Sequence, residues 1–252
     1  MTSVERLRRI TEAVRETGRS SVAELAGLTG ASEMTIRRDL EVLAEQGVLE
    51  RYRGGARSLL LRGEEPPFAL RAQDGQEAKA RIAAEVAGLI ADGESVVVDS
   101  GTTCLEVARA LHGRRLTVVP LSLHAANALT DAPELTLLLP GGRPRPGELA
   151  LTGPLTLASL AALRFDTAVL GCCGLTAADG LTAYDLDDAA VKRAVVASSR
   201  RVVAVADAAK FSRTALALVA PATALHVVVT DHAAPDDETD ALTAAGVTVR
   251  RV

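Results

Sequence analysis

The chain has 252 residues, 48% hydrophobic and 24% charged, with a net charge of −4; this balance suits one or two globular domains and excludes a disordered chain. No apolar run reaches the roughly eighteen residues a membrane span needs, and residues 1–6 begin no signal peptide, so a cytoplasmic protein with no membrane attachment is expected. Cys104, Cys172, Cys173 and four histidines lack disulfide or metal-site spacing, which predicts a reducing compartment, no metal and no cofactor.

Residues 1–62 carry +2 and the remainder −6, and a local cluster of arginines attracts phosphate whatever the bulk charge. Val4, Leu7, Ile10 and Val14 recur at helical spacing ahead of Gly18, predicting a helix that ends there. Ser21-Val22-Ala23-Glu24 has the capping-box pattern, so Ser21 opens a second short helix that buries Val22, Leu25 and Ala26. Gly27 and Gly30 would then bracket a tight turn. Ser32 caps a third helix from Glu33 to about Gln46. Its Ile36, Leu40 and Leu43 form an inward stripe, with Met34, Arg38, Glu41 and Glu45 opposite and Thr35 and Arg37 on the flanks.

Two such helices form a helix-turn-helix, whose second helix can enter the major groove of DNA. Arg37 and Arg38 suit guanine edges or phosphates; the competing reading is that they solvate the helix and pair with Asp39 and Glu41. Residues 48–53 read as a strand, Gly54-Gly55 as a two-residue turn and residues 56–59 as the return strand. Arg51 and Arg53 would share one face of this hairpin, making it a basic wing; the alternative is an edge protected by charge. Wing and helix pair together point to DNA, through Ser32, Met34, Thr35, Arg37, Arg38, Arg51, Arg53, Gly54 and Arg57.

Gly63-Glu64-Glu65-Pro66-Pro67 predicts a stiff, extended spacer. It gives a DNA-binding domain at 1–62, a linker at 63–75 and a second domain at 76–252. In the latter, apolar runs at 95–99, 116–120, 135–139, 167–171, 201–206, 226–230 and 247–250 alternate with helical stretches at 78–91, 102–111, 122–129, 155–163 and 187–198. This is the signature of an open, mostly parallel α/β domain with both sheet faces covered.

Ligands bind such sheets beyond the carboxyl ends of the strands. One end reads Asp99-Ser100-Gly101-Thr102-Thr103, a turn that opens a helix and suits an anion, although an ordinary capped helix, with Thr103-x-x-Glu106 as its cap, explains it as well. Other ends carry Gly141-Gly142-Arg143, Gly171-Cys172-Cys173-Gly174 with Gly180 beyond, and Asp207-Ala208-Ala209-Lys210. The glycines fit ligand approach or turn geometry alone. With neither Walker A nor Gly-x-Gly-x-x-Gly present, a phosphorylated small molecule is expected before a nucleotide. Only three of 28 basic residues are lysine; Lys192 and Lys210 are ligand candidates and Lys79 reads as structural. Cys172 and Cys173 read as small buried residues, and Asp231 as part of a turn.

Thr35-Ile36-Arg37-Arg38-Asp39-Leu40, with Gly47-Val48-Leu49 and Arg51-Tyr52-Arg53-Gly54-Gly55-Ala56, resembles the DeoR family of bacterial transcriptional regulators, with Arg53 where the family's wing has His. The C-terminal motifs resemble that family's sensor domain, which is similar to the sugar-phosphate isomerase and CoA-transferase fold and typically binds a phosphorylated sugar-pathway intermediate. The likeness covers nearly the whole chain. It implies Asp99, Gly101, Thr102 and Thr103 as the phosphate turn, with Gly141, Gly142, Asp166, Gly174, Gly180, Lys192, Asp207 and Lys210 as pocket positions. Pro120-Leu121-Ser122 stands where the family has Thr-Asn-Ser, and Asp188 where it has Glu, both implying a less polar effector site.

The resemblance implies a regulator without catalytic residues, in this family most often a repressor, that acts on carbohydrate-metabolism genes under control of a phosphorylated sugar-type effector. It would bind paired half-sites of double-stranded operator DNA as a homodimer or homotetramer. A sugar-phosphate isomerase with a fused DNA-binding module, moving a proton beside a carbonyl, is the enzymatic alternative. An architectural DNA binder whose second domain only oligomerises is a third.

Overall fold

The structure, a computed structural model, describes residues 1–45, 48–59 and 66–252; the side chain of Val4, the Gln46-Gly47 junction and spacer residues 63–65 lie outside the described part. Two compact units emerge, Met1–Asp74 and Gly75–Val252, and no helix among the described residues is long and apolar enough to cross a membrane.

In the first unit, α1 (Ser3–Thr17) ends at Gly18, which takes a left-handed φ of 76°. After β1 (Arg19–Ser21), the expected capping box opens α2 (Val22–Thr29): Ser21 Oγ accepts the Glu24 N–H at 3.2 Å, and the Glu24 carboxylate accepts the Ser21 N–H at 2.7 Å. Gly27 lies inside α2, so Gly30 alone forms the helix end. Ser32 Oγ accepts the Thr35 N–H and starts α3 (Glu33–Glu45). Leu7, Ile10, Val14, Val22, Leu25, Ile36, Leu40 and Leu43 fill one core with Val48, Leu49 and Ala56.

Strands β2 (Leu49–Tyr52) and β3 (Gly55–Ser58) pair with Tyr52 opposite Gly55. The turn is therefore Arg53-Gly54, one residue earlier than the sequence suggested, and Arg53 leaves the strand face it was expected to share with Arg51. Packing explains the shift. Gly54 supplies the positive φ of 94°, while a Cβ on Gly55 would fall 2.3 Å from the Ser20 carbonyl oxygen of β1. The wing is consequently a three-stranded sheet, β1-β3-β2; the three residues of β1 are too few to show a period.

The linker expected at 63–75 contains a helix. Pro66 and Pro67 give an extended entry, but Phe68–Gln73 forms helix α4, and its Leu70 joins the core of the first unit. Asp39, inside the motif that carries the family likeness, is buried; its carboxylate accepts both Nε (2.6 Å) and Nη2 (3.1 Å) of Arg6 and ties α3 to α1.

The second unit runs α5 (Gln76–Leu89), β4 (Ser95–Val98), α6 (Thr102–Ala110), β5 (Thr117–Pro120), α7 (Leu123–Asn127), β6 (Thr136–Leu137), β7 (Arg143–Pro144), β8 (Leu151–Thr152), α8 (Pro154–Ala162) and β9 (Phe165–Gly171). It continues with β10 (Gly174–Thr176), β11 (Gly180–Ala183), α9 (Leu186–Ser198), β12 (Ser199–Ala206), β13 (Ala217–Ala220), β14 (Val227–Thr230), α10 (Asp236–Ala244) and β15 (Thr248–Arg251). The seven apolar runs read from the sequence become one sheet, ordered β15-β14-β12-β9-β4-β5-β6, with every pairing parallel.

Successive side chains enter opposite cores. Val97, Ala168, Leu170 and Ala204 pack with Leu160 of α8 and Val191 and Val195 of α9. Val96, Val98, Val169, Val203 and Val205 pack with Ile82 and Val86 of α5 and Val107 of α6. Both faces are covered, which is why these strands read as continuous apolar runs. The antiparallel sheet β10-β11-β13, the β7-β8 ribbon and the acid-rich α10 had no signal of that kind.

Replacing Asp39 with Ala strands the Arg6 guanidinium in a partly buried place and should cost the first unit about 1.5–3 kcal/mol. Hydrogen exchange should accelerate at the amides of α1 and α3 and stay unchanged in the parallel sheet; unchanged exchange in α3 would show that the pair is dispensable.

Candidate functional site

The outward face of α3 is open. Ser32, Met34, Arg37 and Arg38 are exposed, Met34 at 58%, and Thr35 is half-buried, with its hydroxyl 2.9 Å from that of Ser32. Three arginines of this surface have carboxylate partners: Arg37 with Glu33 (2.6 Å), Arg51 with Glu41 (2.7 Å) and Arg57 with Glu50 (2.5 Å). Arg38 and, at the wing turn beside Gly54, Arg53 have no ion pair among the described residues. The pairing of Arg37 and Arg38 with Asp39 and Glu41 therefore does not form, because Arg6 holds Asp39 and Arg51 holds Glu41.

Exposed Arg19, which sequence reading missed because β1 was invisible, stands opposite Arg57 in the sheet register. Like charges so placed repel, and the Glu50 carboxylate that pairs with Arg57 offsets part of that repulsion.

In the second unit, β12, β9 and β4 lie side by side and parallel, so residues 207, 171 and 99 reach one edge of the sheet. Asp99 is buried there. Its Oδ2 accepts the Gly171 N–H at 3.0 Å and a very short hydrogen bond from Lys192 Nζ. Lys192, also buried, lies 3.5 Å from Asp188 Oδ2, one turn back along α9. Burial first, and the Asp188 carboxylate with it, pushes the Asp99 carboxyl up against the pull of Lys192. Burial pulls Lys192 down, but Asp188 and Asp99 outweigh it and hold the ammonium above its ordinary value. The lysine is thus already neutralised by two acids.

Beside this cluster, Gly101 (φ 98°) opens α6, with Ser100, Thr102 and Thr103 buried around it. The first N–H groups of a helix have no intrahelical partner, and the three hydroxyls make no hydrogen bond among the described residues. The expected Thr103-x-x-Glu106 cap is absent: Gly101 is the N-cap, two residues before Thr103, and Glu106 pairs with Arg109.

Other candidates are placed less directly. Gly141 is exposed and its carbonyl accepts the Thr156 hydroxyl at 2.9 Å. A Cβ on Gly142 would fall 2.0 Å from Thr156 Oγ1, and one on Gly174 would fall 2.2 Å from the Arg213 carbonyl oxygen; tight packing alone requires glycine at both. Gly180 likewise abuts the Ala220 carbonyl. Arg143 is exposed, 3.7 Å from Asp187 at the start of α9. Asp207 caps the short turn Ala208–Lys210 by accepting the Ala209 N–H. Lys210 is half-buried, and loss of water and then the charge of Arg213 pull it down to about 8.

Asp166 does not belong to this edge. It sits at the amino end of β9, roughly 16 Å along the strand from Gly171, where its carboxylate accepts the N–H and hydroxyl of Ser95; these bonds lower its pKa. Leu121 is buried in the core. Cys172 is buried and Cys173 only half-buried. Asp231 does form a turn, and its second oxygen accepts the Ala208 N–H, bracing the loop after β12.

Residues 6–60 match the family model of the DeoR-like helix-turn-helix domain, and residues 74–232 that of the DeoR C terminal sensor domain. The chain is 34% identical to the glycerol-3-phosphate regulon repressor of Escherichia coli K12, over 93% of each chain. It is 34% identical to the HTH-type transcriptional regulator GlpR of Haloferax volcanii, over 99% of this chain and 98% of the other. Among solved structures, ribose 5-phosphate isomerase A of Methanocaldococcus jannaschii aligns over 55% of each chain at 16% identity and a TM-score of 0.42, too distant to bear on activity.

Lys192→Met would leave two buried carboxylates without their cation and should destabilise the second unit by about 3–5 kcal/mol, with part of the loss recovered by adding Asp99→Asn. Failure of the second change to recover stability in thermal melts would deny the pairing. With a limiting acylating reagent, Lys210 should be modified ahead of Lys79 and Lys192. Its rate should climb through about pH 8 as the amine loses its proton and level off above, as read by peptide mass spectrometry.

Proposed function

Because the chain belongs to the DeoR family of helix-turn-helix transcriptional regulators, we propose that it represses carbohydrate-catabolic genes by binding operator DNA and that a phosphorylated polyol or sugar relieves it. The observation that carries this reading is Arg38: an exposed guanidinium on the outer face of α3 with no ion-pair partner among the described residues, free for a base edge or a phosphate. Ser32, Met34, Thr35 and Arg37 flank it on the helix, and Arg53, Gly54 and Arg57 with Arg19 supply the wing.

In the sensor domain, the Ser100-Gly101-Thr102-Thr103 turn takes the effector's phosphate through N–H groups and hydroxyls. Asp99, Lys192 and Asp188 present hydrogen-bonding groups to its hydroxyls, and Arg143, Asp207 and Lys210 line the approach. Named relatives repress a glycerol-3-phosphate regulon, which supports a small phosphorylated polyol. The domain has no catalytic duty in this reading: Lys192, held protonated between two carboxylates, is no base for abstracting a proton. The protein acts in the cytoplasm as a homodimer or homotetramer on paired half-sites. A coupling of about 1–3 kcal/mol between effector and operator is enough to change operator affinity 5- to 150-fold.

Arg38→Ala should weaken operator binding about 5- to 150-fold in fluorescence anisotropy at fixed salt, with the melting curve unchanged; full affinity would remove Arg38 from the interface. Glycerol 3-phosphate, tested beside pentose and hexose phosphates, should raise the melting temperature, since a ligand at a hundredfold excess over its Kd adds about 2.7 kcal/mol. A panel that shifts nothing would contradict a phosphorylated effector.

A further inference from the structure

Arg51 is placed unlike the other basic residues of the wing. Arg53 stands in the turn, and Arg57 lies on an exposed face opposite Arg19. Arg51 instead sits opposite the buried Ala56, and its Nη1 donates to Glu41 Oε1 of α3 at 2.7 Å. The Arg37–Glu33 pair lies within one helix and the Arg57–Glu50 pair within one hairpin; the Arg51–Glu41 pair joins the helix to the wing. These two parts must meet adjacent features of a duplex at once, and their mutual angle decides whether both can.

We infer that Arg51 is a positioning residue: through Glu41 it holds the wing against α3, and the discrimination of operator from other DNA depends on that hold and not on a phosphate contact by Arg51. The inference rests on the DNA-binding reading above. Arg51 and Glu41 keep 41% and 55% of their side-chain surface, so removing either leaves the core untouched, and a pair this exposed moves an equilibrium by about 1.5- to 5-fold.

The test uses the full chain and two duplexes: one enriched from random-sequence DNA by the wild-type protein, and a scrambled duplex of equal length and composition, each titrated across a salt series. The ratio of the two affinities cancels the plain gain or loss of a charge. Arg51→Ala and Glu41→Gln should each lower the ratio about 1.5- to 5-fold, with the double variant no worse than either. The charge swap Glu41→Arg with Arg51→Glu should recover part of it. Arg51→Ala should leave the slope of log affinity against log salt unchanged, whereas Arg53→Ala should lower it by about one. A slope lowered by about one in Arg51→Ala, additive losses, or a swap that recovers nothing would make Arg51 a phosphate ligand and overturn the inference alone. Failure of the wild-type protein to enrich any duplex would defeat the DNA-binding reading and this inference together.

Discussion

The Asp99 carboxylate is the joint on which the sensor domain turns. It stands at the end of β4, accepts a backbone N–H from the end of β9 and an ammonium proton from α9, so one buried group couples two neighbouring strands to the helix on one face of the sheet. Such charges are costly to take out of water and are tolerated only where their partners are precisely disposed. The arrangement fixes where α9 lies along the sheet. The lysine's charge is matched by Asp99 and Asp188.

The first unit follows a different electrostatic design. Its surface arginines are interleaved with glutamates, and the pairs are exposed and weak. Among the described residues, the Arg6–Asp39 pair is withdrawn from the surface and fixes α3 on α1. Division of labour follows from depth: the acid of the Arg-Arg-Asp motif supports the helix from within while the two arginines face outward.

Much of this was legible in the residues. Ser21, Ser32 and Gly18 announce helix ends because capping is local chemistry, settled within three or four residues. The inner strands of the large sheet were visible because a strand covered on both faces must be apolar at nearly every position. Errors arose where a neighbour distant in sequence decided the outcome. The wing turn moved by one residue because Ser20 of β1 demands a glycine at 55. Residues 68–73 of the expected linker became α4 because Leu70 finds an apolar core to enter.

The linear chain by itself determined the class of each domain and the stripe that α3 buries, since these depend on period, capping and composition. Only the folded molecule decided which charges meet. Arg6 and Asp39 are separated by 33 positions and Asp99 and Lys192 by 93, and no local pattern announces such partners. Asp166 shows the same limit: identical in kind to Asp99, it lies at the opposite end of the parallel sheet, because strand direction, invisible in residue type, assigns it there.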